Sequence, residues 1–309
     1  MKEGASSGMR SGFVSLIGRP NAGKSTLLNL LVGTKIAIVS DKPQTTRNRI
    51  LAVKNVTGDR PGQIVFVDTP GIHRPLHRLN VRMVDSAVET LGQVDVLAVV
   101  LDAASKTGAG DRYLLGLLER VRVPVILVLN KIDLIAKNRL LPLIEWYSQQ
   151  REFAAIVPIS ALTGDGQREL ETEFLTRLPE GEALYPDDFI TDQPERVLAA
   201  ETVREKLLSY TRAELPFSTA VVVDRFEEPG EDDILRLYCS ILVERSTQKR
   251  IVIGHRGELI KRIGTEARVD LEKFFATKVF LDLHVRVRAD WREDDRILGD
   301  LGIGRTDHS

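Results

Sequence analysis

The chain has 309 residues, with 43 Lys/Arg against 44 Asp/Glu and a formal net charge of -1. Hydrophobic residues at 43% and charged residues at 28% are ordinary for a globular protein, which excludes wholesale disorder, and the balanced charge argues against a uniformly basic nucleic-acid binder. The longest apolar runs, 96–101 and 123–129, fall far short of the ~18 residues of a spanning helix, and one cysteine, Cys239, excludes a disulfide framework or a Cys-based zinc cluster.

Residues 1–11 and 304–309 read as tails, and the Gly/Ser-rich start has no apolar core of the secretory kind. From residue 13 to 178 short apolar runs (13–17, 64–67, 94–101, 125–129, 155–158) alternate with helical stretches (24–32, 79–91, 111–120, 140–150, 167–177). The strand runs lack polar alternation, so both faces are buried, which predicts an α/β doubly wound sheet. An extra strand, 49–56, precedes the turn 58–62 and predicts an antiparallel hairpin with 64–67. Residues 179–195 hold six acidic residues, three prolines and no Lys or Arg. They read as an acidic linker between a first domain, 11–178, and a second, 196–303. The second predicts a helix (196–213), two strands around the acidic turn 227–233 and a short strand 250–253. A helical region (258–275, broken near Gly264) and an alternating final strand (279–287) complete a smaller α+β domain in the order α-β-β-α-α-β.

Gly18-Arg19-Pro20-Asn21-Ala22-Gly23-Lys24-Ser25 matches G-x-x-x-x-G-K-[ST] between an apolar strand and a helix. Such a loop turns successive N–H groups toward an anion, and the helix N-terminus adds positive potential. Lys24 is expected on the β- and γ-phosphates and the Ser25 hydroxyl on Mg²⁺, with Thr26 completing the loop. Asn130-Lys131-x-Asp133 follows another strand. A carboxylate at Asp133 can accept both donors of guanine, N1–H and the 2-amino group. Adenine would leave it unpaired, which is how such a site discriminates. Asn130 is expected to brace the loop, the Lys131 stem to lie over the base, and Ser160-Ala161-Leu162 to bring a backbone N–H to guanine O6.

Asp68-Thr69-Pro70-Gly71 ends a strand, where Asp68 is placed to hold Mg²⁺ through water and the Gly71 N–H to meet the γ-phosphate. In the loop 42–47 either Thr45 or Thr46 ligates Mg²⁺, with Thr46 preferred. Lys24, Thr46 and Gly71 are the residues expected to act in the hydrolytic step. Residue 72 is Ile, which cannot orient water, so hydrolysis has to rely on Mg²⁺, Lys24, backbone groups, a monovalent ion or a partner. His73 and His77 read as loop histidines.

In the second domain Gly254-His255-Arg256-Gly257 is a G-x-x-G leading into a helix, a pattern suited to clamping a sugar-phosphate backbone. From residue 245 to 292 there are 12 Lys/Arg against 6 Asp/Glu, which suggests an anionic partner. Few aromatics suit a backbone clamp better than a base-stacking sheet.

The motifs of the first domain resemble the translation-factor-related P-loop GTPases. With Asn at position 21 they resemble a potassium-activated subgroup, in which Asn21 would help hold K⁺; a plain turn-forming Asn is the alternative. One such domain followed by a type II KH domain resembles the bacterial Era family over about residues 13–303. The support is Gly18–Ser25, the loop 42–47, Asp68–Gly71, Asn130–Asp133, and residues 253–260 with 264–268. The resemblance implies a GTP/GDP switch that hydrolyses GTP with Mg²⁺ and binds the 3′ end of small-subunit (16S) rRNA through Gly254, His255, Arg256 and Gly257, supported by Lys261 and Arg262. It implies assistance to 30S subunit assembly, residence in the cytoplasm with peripheral association to the inner membrane face, and no DNA partner. The competing readings are an RNA-binding module with weak or no hydrolysis, and a P-loop kinase or ATPase. Intact Lys24, Ser25, Asp68 and Asp133 count against a degenerate nucleotide site, and Asp133 counts against ATP.

Overall fold

A computed structural model of the chain describes residues 8–40, 42, 49–58, 60–68, 94–211 and 215–301. The expected helix 79–91, Thr45, Thr46, Thr69, Pro70, Gly71, Ile72, His73 and His77 lie outside the described residues. The described chain divides into two compact units. The first holds the segment up to Ala37 and residues 49–192, and the second holds residues 38–40, 42 and Gln193 onward.

In the first unit β1 (Arg10–Gly18), β2 (Ile50–Val56), β3 (Gly62–Asp68), β4 (Val96–Asp102), β5 (Val125–Asn130) and β6 (Ala155–Pro158) form one sheet, ordered β2-β3-β1-β4-β5-β6. All neighbours are parallel except β2 and β3, which form the expected antiparallel hairpin. Helices α1 (Lys24–Val32), α2 (Ala109–Leu117), α3 (Leu140–Gln150) and α4 (Gln167–Arg177) cover the sheet. Leu16, Phe66 and Val128 pack with Leu27 and Leu31 of α1 and Phe174 of α4. Ile17, Val99 and Leu129 pack with Leu114 of α2 and Tyr147 of α3. Two-sided burial is why these strands read as continuous apolar runs. Gly18, Asp68, Asp102, Asn130 and Pro158 end their strands at the same edge of the sheet, where loops of an open α/β sheet gather a ligand.

The stretch expected as a linker is largely bound to this unit. Thr191 bridges Ala52 of β2, the Val53 N–H donates to Ile190 O at 2.8 Å and the Thr191 hydroxyl to Leu51 O at 2.6 Å. Tyr185 and Phe189 stack with centroids 4.8 Å apart and pack on Leu51, Val53 and Val65. Buried Gln63 accepts at Oε1 from the Leu184 and Tyr185 N–H groups, at 2.7 and 2.8 Å. Charge and proline content concealed two aromatic anchors that pack on the sheet, after which residues 190–192 pair with the open edge of β2.

In the second unit α5 (Glu195–Tyr210) and a short turn α6 (Leu215–Ser218) precede β7 (Thr219–Glu227) and β8 (Ile234–Val243). Then come α7 (Ser246–Ile253), α8 (Glu258–Phe275), β9 (Lys278–Val287) and a terminal α9 (Asp295–Asp300). The sheet order is β7-β8-β9, with β7/β8 antiparallel and β8/β9 parallel. Leu237, Cys239 and Ile241 pack with Val252, Ile263, Ala267 and Leu271 of the two G-x-x-G helices. Trp291 is fully buried and donates from Nε1 to Ser218 O at 3.0 Å.

Two expectations fail here. Residues 250–253 are the last turn of α7, not a strand. The run Ile251-Val252-Ile253 favours strand, but Gln248 Oε1 accepts from the Glu244 and Arg245 N–H groups at 2.9 and 3.0 Å and fixes a helix start. Helix α8 also runs unbroken through Gly264. An interior glycine costs a helix only about 1 kcal/mol relative to Ala, less than the burial of Ile263, Ala267 and Leu271 returns.

Candidate functional site

The phosphate loop joins β1 to α1. Asn21 (φ 63) and Gly23 (φ 92) are both left-handed. A Cβ on Gly23 would lie 2.2 Å from Asn130 Nδ2, so only glycine lets the two loops touch. Lys24, 6% exposed, donates to Gly18 O at 3.2 Å and to Arg19 O at 3.4 Å. Burial pushes its ammonium below the ordinary lysine range, and the Asp68 carboxylate partly offsets this. A desolvated cation whose hydrogen bonds go to neutral carbonyls of its own loop is a receptor for anionic oxygen. Asp68 is fully buried at the end of β3, and Ser25 sits in the first turn of α1.

Arg19 does not face the cradle. Its guanidinium turns to Asp111 of α2, at 3.2 and 3.3 Å from the two carboxylate oxygens. Asp111 Oδ2 also caps that helix by accepting the Gly108 N–H at 2.8 Å. Arg19 therefore braces the loop from behind and offers the site its backbone.

The base-reading loop is cross-braced. Asn130 Nδ2 donates to Ala22 O, and Asn130 Oδ1 accepts the Ala161 N–H, both at 2.9 Å. The expected bracing is thus direct, between the phosphate loop and the loop after β6. Ser160 donates from Oγ to Asp133 Oδ1 at 2.6 Å, which leaves the exposed carboxylate oriented. Of the segment 160–162 expected to bring a backbone N–H to guanine O6, the Ala161 N–H is turned to Asn130 and the Ser160 N–H to Asp165 O at 3.0 Å. Lys131 (φ 66) donates to Asn21 O at 2.7 Å and to Asp102 Oδ2 at 2.7 Å. Sequence reasoning missed Asp102 and Asp111. The signal for Asp102 was its place one residue past the apolar run of β4, beside the base-reading motif on the next strand. In the structure Asp102 pairs in register with Asn130.

In the second unit the G-x-x-G joins two helices. Gly254 (φ 74, ψ −179), Arg256 (φ 49) and Gly257 (φ 81) all have positive φ, a region that glycine enters without the strain a side chain adds. A Cβ on Gly254 would meet Leu259 Cβ at 2.7 Å, whereas Gly257 faces open space. His255, Arg256 and Lys261 are exposed, above the N-terminus of α8. Arg262 is exposed as well but engaged. Its guanidinium lies 4.6 Å from the Tyr210 ring centroid, and its Nε is 3.3 Å from Glu266 Oε1.

A family model described as a 50S ribosome-binding GTPase matches residues 13–131, and one described as a KH domain matches residues 214–292. Fold and loops together define a P-loop GTPase carrying a type II KH domain. The GTPase Era of Geobacter metallireducens is 50% identical over 95% of this chain and 97% of its own length, and that of Syntrophus aciditrophicus is 49% identical over 97% of each. The chain belongs to the GTPase Era family, and its enzymatic activity is that of a GTPase. Among solved structures, an Aquifex aeolicus Era variant bound to GDP.AlF4- superposes with a TM-score of 0.91 at 41% identity, covering 96% of this chain and all of that one. Era in complex with MgGDPNP and nucleotides 1506-1542 of 16S ribosomal RNA superposes with a TM-score of 0.92 at 42% identity, with the same coverage.

Proposed function

We propose that this protein binds and hydrolyses GTP as a switch, engages the 3′ end of 16S rRNA through its KH domain, and assists 30S subunit assembly. The observation that carries the reading is the combination, in one chain, of the braced phosphate and base loops with a left-handed, cation-bearing G-x-x-G. The relative solved with MgGDPNP and 16S rRNA resembles this chain over both domains. The 50S description belongs to a model spanning the nucleotide domain alone, so the small-subunit assignment is favoured.

The Gly18–Thr26 loop holds the phosphates, with Lys24 countering the charge that builds on the γ-phosphate. Asp133, oriented by the Ser160 hydroxyl, selects guanine. Buried Asp68 and the Ser25 hydroxyl form an all-oxygen donor set that suits a hard divalent cation, and Thr46 completes it in the triphosphate state. Mg²⁺, when bound, neutralises phosphate charge. Thr69, Pro70 and Gly71 follow Asp68 as the segment that meets the γ-phosphate. Asn21 is exposed at the loop tip and assists K⁺; equal turnover in KCl and NaCl would remove that part of the reading. Peripheral association with the membrane's inner face rests on the family resemblance and is tested by cosedimentation with vesicles. Among the described residues no helix is long and apolar enough to cross a membrane.

The RNA backbone is clamped by Gly254, His255, Arg256 and Gly257 with Lys261. Arg262 joins only if it leaves Glu266 and Tyr210. Linkage requires RNA to alter GTP affinity if GTP alters RNA affinity. The test uses Gly257→Asp, whose side chain meets no neighbour and strains only the φ 81 turn, alongside the Gly254→Asp/Gly257→Asp double variant. Both should lose binding to a short single strand matching the rRNA 3′ end while keeping GDP binding. Native-like RNA affinity in Gly257→Asp would move the RNA site elsewhere. Added salt should weaken the native complex through counterion release.

A further inference from the structure

We infer that Asp102, which belongs to none of the nucleotide-binding motifs, is a positioning residue for the guanine nucleotide: it fixes the Lys131 ammonium so that the lysine stem is set as a rigid bar between the base loop and the phosphate loop. The inference deepens the guanine-nucleotide reading and rests on it.

Lysine is poorly suited to hold a surface in place. Its four-carbon stem carries up to ~2 kcal/mol of rotamer entropy that must be lost when it is ordered. Here the stem is fixed at both ends. Lys131 leaves the backbone in a left-handed turn at φ 66, and its ammonium is held by two acceptors, Asn21 O and Asp102 Oδ2, each at 2.7 Å. The first acceptor is a neutral carbonyl of the phosphate loop. The second carries the charge, and only the second can make the ammonium's position strongly preferred over solvation by water.

Asp102 is itself prepared for this task. It is the last residue of β4, directly beside Asn130 in the parallel register. The Ala103 N–H donates to Asn130 O at 2.8 Å, so the backbones of the two residues are locked together. Its other oxygen, Oδ1, accepts the Ala104 N–H at 2.9 Å. One carboxylate oxygen is therefore fixed by its own turn and the other is aimed at Lys131. The Lys131 and Asp102 side chains are 30% and 19% exposed, so solvent screens this pair less than a surface ion pair. Asp102 reaches no ligand directly. It acts by removing the freedom of Lys131 before the nucleotide arrives, which slows departure of the base and keeps the Asn21 carbonyl, on the left-handed residue of the phosphate loop, tied to the base loop.

The test is a double-mutant cycle on dissociation of a fluorescent GDP analogue, using the full-length protein. Asp102→Asn keeps an Oδ1 acceptor for the Ala104 N–H and puts a neutral NH2 donor where the charged acceptor for Lys131 was. It should speed GDP release about tenfold, equivalent to about 1.4 kcal/mol, with the change appearing in KM for GTP rather than in kcat. Lys131→Met should speed release at least as much, and adding Asp102→Asn to it should change release no further. If Asp102→Asn releases GDP at the native rate, or speeds release by the same factor with and without Lys131, the inference is overturned. Failure of the native protein to bind GDP at all would instead overturn the nucleotide reading itself. Should Asp102→Asn fold poorly, Asp102→Glu enters the same cycle and must show the same dependence on Lys131.

Discussion

Replacing Asn130 by Ala is the sharpest test of the braced site. The Asn130 side chain is 1% exposed and spans two loops, giving one hydrogen bond to Ala22 O and taking one from the Ala161 N–H, both at 2.9 Å. Truncation strands one backbone acceptor and one backbone donor. Each such loss costs about 1–3 kcal/mol. Water can reach loops this near the surface and recover part of that, so we take about 2–3 kcal/mol for the pair. If the loss falls on the nucleotide-competent arrangement, GDP affinity drops roughly 30- to 140-fold, at about 1.4 kcal/mol per factor of ten. Equilibrium titration with a fluorescent GDP analogue measures the drop, and chemical unfolding without nucleotide checks that the domain remains folded. Asn130→Asp sharpens the result. It keeps an acceptor for Ala161 but sets a carboxylate oxygen against the Ala22 carbonyl, so it should bind no better than Asn130→Ala. A folded Asn130→Ala protein that binds GDP within threefold of native would refute the claim that this amide holds the site together.

Asp133→Asn should weaken GTP by at least about a hundredfold, through loss of charge-assisted bonds to the base, and should shift preference toward XTP; competition of each nucleotide against labelled GDP reads the change. Cys239 is fully buried, and burial together with Asp224 and Asp282 pushes its thiol up to about 12, so alkylation at neutral pH should proceed only through opening of the KH domain and should accelerate in denaturant. The Asp102 carboxyl is raised by burial but more than compensated by Lys131 and the Ala104 N–H, which leaves it below its usual 3.8. Its pairing therefore contributes stability that is fully present above 3.8 and is lost as pH falls through the lower folded-state value. The native-minus-Asp102→Asn difference in unfolding midpoint should be flat across neutral pH and shrink only in acid.

What could be read from sequence was local. The phosphate loop, the base-reading loop and the G-x-x-G are runs of four to eight consecutive residues whose chemistry depends on adjacent backbone groups, so their order in the chain is their order in space. What could not be read depended on tertiary partners. The segment after Leu178 looked like a linker by its charge, yet Tyr185, Phe189 and Thr191 pair it with β2, and that requires knowing that β2 is an edge strand. Residues 250–253 carry a strand-like composition, and Gln248 overrides it from outside that window. Arg262 lies on the basic stretch by sequence, but Tyr210 and Glu266 approach it in space, from 52 residues upstream for the tyrosine and one helical turn along α8 for the glutamate. Asp102 belongs to the end of β4 and becomes relevant to Lys131 only because β4 and β5 are adjacent and in register.

The two halves of the nucleotide site are prepared differently. On the base side the polar groups of Asn130, Lys131, Asp133 and Ser160 already have protein partners, so a guanine adds contacts to a frame that stands without it. On the phosphate side Lys24 is buried, and its ammonium donates to two carbonyl oxygens of its own loop. Neutral carbonyls hold a desolvated ammonium less well than anions do. The base side is accordingly a gauge of shape, with little to gain from rearrangement, whereas the phosphate side gains each time a phosphate oxygen replaces a carbonyl. Most of the binding free energy should then come from the phosphates and most of the selectivity from the base, a division that suits a switch: the guanine stays identified through the cycle while the response follows the number of phosphates.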